Sequence, residues 1–315
     1  MASPSLSVTP DDVRAAAVTI RGAVHRTPVL SSRSLGPGQY LKAELFQRTG
    51  SFKARGALNK VRSLSASERA CGVIGVSAGN HAQALAWAAA AEEVDALVVM
   101  WAGVSTAKVE ATRAYGAVVD LEAAGPGEAF ERLHELQRQT GRVFVHPFDD
   151  PVVIAGAGTV GLEILEDVPE VDTIVVSTGG GGLVSGIAAV CVPAGVRVLA
   201  VEPEHSNALQ LGLAAGEPVP LIPETIADGL TAPFAGRIPI ELCTALAVDV
   251  IVVTEEAIRE AFRFLYERSK LAVETGAATA VAAVLGGAVG GATVVTVVSG
   301  GNVSADTASA ILGGR

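Results

Sequence analysis

Cysteine is scarce in this chain. Cys71, Cys191 and Cys243 are its only three in 315 residues, far apart and in no CxxC spacing. That excludes a disulfide framework and a thiolate metal site, and makes a reducing cytosol the default compartment. Positive charge is also in short supply, with 23 Lys and Arg against 33 Asp and Glu and a net charge of −10. Nucleic acid and anionic membranes are therefore disfavoured as partners. An anionic ligand would have to be held by local amides, not by a global field. The five histidines are scattered without ligand spacing, so His81 and His146 read as hydrogen-bonded structural residues. Residues 1–12 lack a basic-then-apolar run, and no secretory leader is expected. Thr9-Pro10-Asp11-Asp12 reads instead as a helix N-cap with proline in the first turn.

One long segment, 275–305, has no charge at all and contains GxxxG spacing between Gly286 and Gly291. It is dominated by Ala, Gly and Thr, whereas a membrane span needs sustained apolarity. Helix, glycine turn and buried strand is the better reading, with the helix over 275–285 and the strand over 293–298. Elsewhere, with half of the residues hydrophobic, β-branched apolar runs alternate with amphipathic or Ala-rich stretches. Strands are expected at 72–76, 96–100, 117–121, 142–145, 173–176, 197–201 and 248–253. Helices are expected at 82–91, 106–115, 127–139, 158–166 and 255–270. This alternation is the signature of βα units and mainly parallel sheets in an α/β fold.

Three loops carry the chemistry. In Gly50-Ser51-Phe52-Lys53, a lysine stands after a tight turn and before an expected helix. A free lysine has a pKa of about 10.4 and is a poor nucleophile at neutral pH. Partial desolvation beside Phe52 would favour the amine that attacks an aldehyde. Taken alone, Lys53 reads better as a solvated residue at a helix start. The second loop, Ser77-Ala78-Gly79-Asn80-His81, joins a strand to an Ala-rich helix, where outward-facing amides can hold a carboxylate or phosphate. The third, Gly179-Gly180-Gly181-Gly182, follows another strand, and its amides can converge on one anion without Cβ obstruction. It is not a nucleotide P-loop, since no Gly-Lys-Ser/Thr follows. Gly156-Ala157-Gly158-Thr159-Val160-Gly161 spells the dinucleotide fingerprint, but its preceding run is short and opens with proline. Those glycines are expected to serve close helix packing.

The order and spelling of these loops resemble the pyridoxal-phosphate enzymes of fold type II, specifically the threonine/serine dehydratase group that includes serine racemases. The resemblance runs from His25-Arg26-Thr27-Pro28, through Val145-His146-Pro147 and residues 224–229 (ETIADG), to Ser299-Gly300-Gly301-Asn302. It implies a two-domain fold like that of the tryptophan synthase β chain, with open, mainly parallel sheets and flanking helices. The large cofactor-binding domain would comprise residues 1–65 and 142–315, and the small domain residues 66–141. It further implies that Lys53 holds pyridoxal phosphate as a Schiff base with Phe52 packed on the ring. Gly179, Gly180, Gly181 and Gly182 would bind the phosphate, Asn80 the phenolic oxygen, and Ser299 would face the pyridine nitrogen. A neutral hydroxyl there leaves a weaker electron sink, suited to elimination. The substrate carboxylate would dock on Ser77, Ala78, Gly79 and His81, after which Lys53 would take the Cα proton and the β-hydroxyl would leave. A homodimer in the cytoplasm is implied as well.

Departures from the pattern narrow the choice. Eukaryotic-type serine racemases carry a second serine, the base for the opposite face, where this chain has Ala78. Glu202 matches the first ligand of the family's divalent cation, but the aspartate position reads as Leu209 or Gln210, and no metal is expected. Asn80-His81-Ala82 differs from the Asn-Thr-Gly of β-replacement synthases. The chain ends at Arg315, leaving no room for an isoleucine-responsive effector domain. A dehydratase is therefore expected, with a serine racemase or a 3-hydroxyaspartate dehydratase as the alternative. A β-replacement synthase and a non-catalytic binding protein are the remaining possibilities.

Overall fold

In the computed structural model, residues 6–314 are described. Thr9 caps the first helix, Pro10–Ile20, in a reciprocal box with Asp12, with proline at the first position, as the local sequence dictates. Among the described residues, ten strands form two sheets: β1 (Val29–Ser31), β2 (Gln39–Ala43), β3 (Val73–Val76), β4 (Ala96–Trp101), β5 (Val118–Ala123), β6 (Val143–Phe144), β7 (Thr173–Ser177), β8 (Arg197–Pro203), β9 (Asp249–Val253) and β10 (Val294–Val298). The larger sheet has the order β1-β2-β10-β7-β8-β9 and the smaller β5-β4-β3-β6. All pairings are parallel except β1 with β2. Central strands β3, β7 and β10 are buried throughout, which is why they read as continuous Val/Ile runs without alternation. Strand β6, at 143–144, belongs to the smaller sheet, two residues past the expected small-domain boundary.

The uncharged 275–305 segment resolves into the helix Thr275–Leu285 and strand β10. Among the described residues, no helix is long and apolar enough to cross a membrane. Two expected helices need correction. The apolar run at 151–154 opens the helix Pro151–Asp167, which therefore starts seven residues before the expected 158. The Asp150 carboxylate accepts from the amides of Val152 and Val153 and Pro151 takes the first position, so cap chemistry overrides the strand preference of Val and Ile. The helix expected over 255–270 is α-helical only over Glu255–Phe264, then π-helical over Leu265–Ser269. The antiparallel β1–β2 pair lacks a sequence signal because its strands are short and only partly buried.

The glycines of the false dinucleotide motif sit inside the Pro151–Asp167 helix. A Cβ at Gly158 would lie 2.5 Å from the Gly186 carbonyl, and one at Gly156 would lie 2.7 Å from Gly56 Cα. This helix thus packs backbone to backbone on both the Lys53–Arg62 helix and the Gly182–Cys191 helix. These are the two helices that carry the lysine and the glycine loop.

Candidate active site

The turn bearing Lys53 is fastened to the end of β10. The Phe52 amide donates to the Ser299 carbonyl at 3.1 Å, and Ser51 bridges to Gly300. Lys53 opens the helix Lys53–Arg62, and its Nζ donates to the Pro147 carbonyl at 2.6 Å. The amine lies 5.1 Å from the centre of the Phe52 ring. Burial pulls its pKa down to about 8, against the opposing pull of the Glu274 carboxylate. Lys53, Phe52, Pro147, Gly182 and Leu183 line one small cavity, so the lysine and the glycine loop meet, 129 positions apart in the sequence.

Gly181 adopts φ +90°, and no side chain among the described residues caps the Gly182–Cys191 helix that it opens. An uncapped N-terminus presents free amides and the positive end of the helix dipole, the requirement for binding an anion. The loop is held from behind: a Cβ at Gly180 would collide with the Phe148 ring, and the Gly180 carbonyl accepts from the Gly236 amide at 3.1 Å. His146 supports Phe148 through Nδ1, which accepts from the Asp149 amide at 2.8 Å and the Phe148 amide at 3.3 Å. Burial lowers its pKa to about 4, so the imidazole is neutral and can accept.

Asn80 begins the helix Asn80–Ala91. In the preceding loop, Ser77 Oγ accepts from the Gly79 amide at 3.1 Å. Asn80 Nδ2 donates to both oxygens of Glu274, at 2.9 and 3.0 Å, and Asn80 Oδ1 accepts from Asn302 Nδ2 at 2.7 Å. Glu274 is the residue that sequence reasoning missed. It is only 5% exposed, and burial raises its pKa to about 7 while the Asn80 hydrogen bond opposes the rise. One signal could have found it: Glu274 is the last charge before the long uncharged run. The His81 side chain turns inward, with Nε2 2.9 Å from the Val145 carbonyl. Burial lowers its pKa to about 3, leaving its backbone amide as the group it could offer a ligand. Glu202 is also committed: its oxygens accept from the Leu209 and Gln210 amides at 2.8 and 2.9 Å, capping the helix Ala208–Ala215.

This donor set fits pyridoxal phosphate. A lysine with a depressed pKa suits its aldehyde, and an uncapped helix N-terminus suits its phosphate. A family profile described as pyridoxal-phosphate dependent enzyme matches residues 20–300. The chain is 43% identical over 286 residues to the L-threonine ammonia-lyase of Thermotoga maritima, covering 88% of this chain and 71% of that one. It is 38% identical over 290 residues to a catabolic L-threonine dehydratase of Escherichia coli, covering 90% and 88%. The solved structure of maize serine racemase superposes with a TM-score of 0.90 at 38% identity, covering 96% of this chain and 95% of that one. The chain belongs to the pyridoxal-phosphate dependent enzyme family, with the fold type II architecture.

Proposed function

We propose that this protein is a pyridoxal-phosphate-dependent ammonia-lyase that converts a β-hydroxy amino acid, L-threonine or L-serine, to a 2-oxo acid and ammonia. One observation carries the reading above the others: a lysine amine brought to about 8 by burial beside an uncapped, glycine-opened helix. When bound, pyridoxal phosphate supplies an aldehyde for the substrate amine and a ring that acidifies the Cα proton. The amides of Gly179, Gly180, Gly181 and Gly182 would hold its phosphate, with Phe52 against its ring, Asn80 as donor to the ring oxygen and Ser299 toward the ring nitrogen. The amides of Ser77, Ala78, Gly79 and His81 hold the substrate carboxylate. Lys53 Nζ, as the free amine, would be the base that takes the Cα proton.

Ala78 offers no proton to the face opposite Lys53, which favours elimination over racemisation. The likeness to serine racemases makes D-serine the product to assay beside ammonia. The two sheets correspond in this reading to a large and a small domain with the cofactor between them. The protein works in the cytoplasm as a homodimer. Lys53→Ala is expected to lower ammonia release from L-threonine by about 10²–10⁴-fold or more. A variant that retained full release would overturn the proposal. Steady-state rates on L-threonine, L-serine and 3-hydroxyaspartate would rank the substrates.

A further inference from the structure

Asn302 closes the Ser299-Gly300-Gly301-Asn302 motif, and the chemistry above gives it no task. Its Nδ2 donates at 2.7 Å both to the Thr49 carbonyl and to Asn80 Oδ1. A backbone carbonyl can only accept, so the Thr49 contact settles which end of the Asn302 amide is nitrogen. The Asn80 atom facing Asn302 must then be oxygen, and Asn80 Nδ2 must lie on Glu274. Glu274 is tied in turn to the same motif, its backbone amide donating to the Gly300 carbonyl at 3.2 Å. Donor and acceptor identities thus propagate without ambiguity from Thr49 to Glu274. Two backbone features hold the start of this chain. Thr49 sits at φ +59°, a left-handed conformation that strains a β-branched residue. Asn302 Oδ1 packs where a Cβ on Gly50 would stand, 2.5 Å away.

The Glu274 contact leaves Asn80 one hydrogen. The two oxygens of one carboxylate, 2.9 and 3.0 Å from Asn80 Nδ2, subtend roughly 45° there, whereas the two N–H bonds of an amide diverge by roughly 120°. One N–H is therefore shared between the carboxylate oxygens and the other points elsewhere.

We propose that Glu274 and Asn302 are positioning residues that lock the Asn80 carboxamide, so that its second N–H is the donor offered to an anionic ring oxygen of the cofactor. This deepens the functional reading and rests on it. An Asn302→Asp substitution keeps the shape but turns the donor into an acceptor, setting oxygen against Asn80 Oδ1 and favouring a flipped amide. The test titrates apoprotein with pyridoxal phosphate, following fluorescence quenching and the wavelength of the visible cofactor band. It compares wild type, Asn80→Ala, Asn302→Asp and the double variant.

Asn302→Asp is expected to weaken cofactor binding about tenfold, equivalent to one charge-assisted hydrogen bond, and to move the band. In the Asn80→Ala background the same change is expected to add nothing, because its effect runs through Asn80. Wild-type affinity and band in Asn302→Asp would overturn the inference, as would an undiminished effect in the double variant. Should Asn302→Asp not fold, Asn302→Ser, too short to reach both oxygens, carries the same expectations. Failure of the wild-type protein to bind cofactor would instead overturn the functional reading itself, and the inference with it.

Discussion

Lys53 shows how a single residue acquires reactivity from its surroundings. Burial disfavours its ammonium form and lowers its pKa to about 8, so the free amine that captures an aldehyde accumulates as pH rises through that value. The rate of cofactor capture by apoprotein, followed by visible absorbance, is expected to reach half its plateau near pH 8. A midpoint near the ordinary lysine value of 10.5 would contradict it. Because the folded pKa lies below the unfolded one, the penalty for the buried ammonium is fully present below about 8, and the apoprotein gains stability from this group between about 8 and 10.5. Gly180 is a second such case. Gly180→Ala drives a methyl group into the Phe148 ring, with an expected loss of about 1–3 kcal/mol in chemical denaturation, typical of overpacking. Phe148→Leu is expected to restore part of it. Lys53 and the glycine loop were legible in the sequence because their chemistry is written in consecutive residues. Glu274 was not, since it meets Asn80 across 194 positions, and Asn302 was legible only as the end of its motif, its pairing with Asn80 across 222 positions having no local pattern to mark it.

The helix that carries Lys53 is fixed at the scale of elements by a buried ionic cluster. Arg55, 1% exposed, donates to Glu44 from Nε at 2.9 Å and Nη2 at 2.8 Å, and to Glu163 from Nη1 at 2.7 Å and Nη2 at 2.9 Å. Lys42 Nζ reaches the same Glu163 at 2.6 Å. The cluster joins β2, the Lys53–Arg62 helix and the Pro151–Asp167 helix. Burial alone would raise the pKa of Glu44, but the charge and hydrogen bonds of Arg55 outweigh it and hold the carboxyl below its usual value. Arg55→Met strands that carboxylate, and unfolding by denaturant is expected to show a loss of about 3–5 kcal/mol. Arg197→Ala breaks a pair with Asp249 that is more than half exposed on both sides, and is expected to change stability by less than about 1 kcal/mol. Equal effects from the two would contradict the weight placed on burial. Nothing in the sequence marked this cluster, because Arg55 meets its partner Glu163 across 108 positions. Helix positions were legible where caps or periodicity spoke, and misread at Pro151–Asp167, where a run of Val and Ile concealed the Asp150 cap.

The alternation of strands and helices announced parallel sheets in the whole molecule, but strand order was not legible, because β10 inserts between β2 and β7 and only long-range packing decides that. Polar links join the elements around the smaller sheet to those around the larger: Arg62 with Glu92 at 2.7 Å, Asn80 with Glu274 and Asn302, and Lys108 with Asp228 at 2.9 Å. The last is an exposed pair and contributes little. Apolar packing of the Lys53–Arg62 helix on the Asn80–Ala91 helix, through Leu58, Val61 and Leu85, supplies the remainder. A cofactor held at once by Lys53, the glycine loop and Asn80 would add a further link between elements of the two sheets. Ligand binding to the folded state alone adds about 2.7 kcal/mol when the free ligand stands at a hundred times its Kd. For a chain of this size, that corresponds to a rise of roughly 5 °C in Tm. Thermal unfolding of apoprotein with added pyridoxal phosphate is expected to show this rise, with Lys53→Ala giving a smaller one at the same concentration because its attachment is non-covalent. An unchanged Tm for wild type under saturating cofactor would mean that the ligand does not bind the folded state in preference to the unfolded chain.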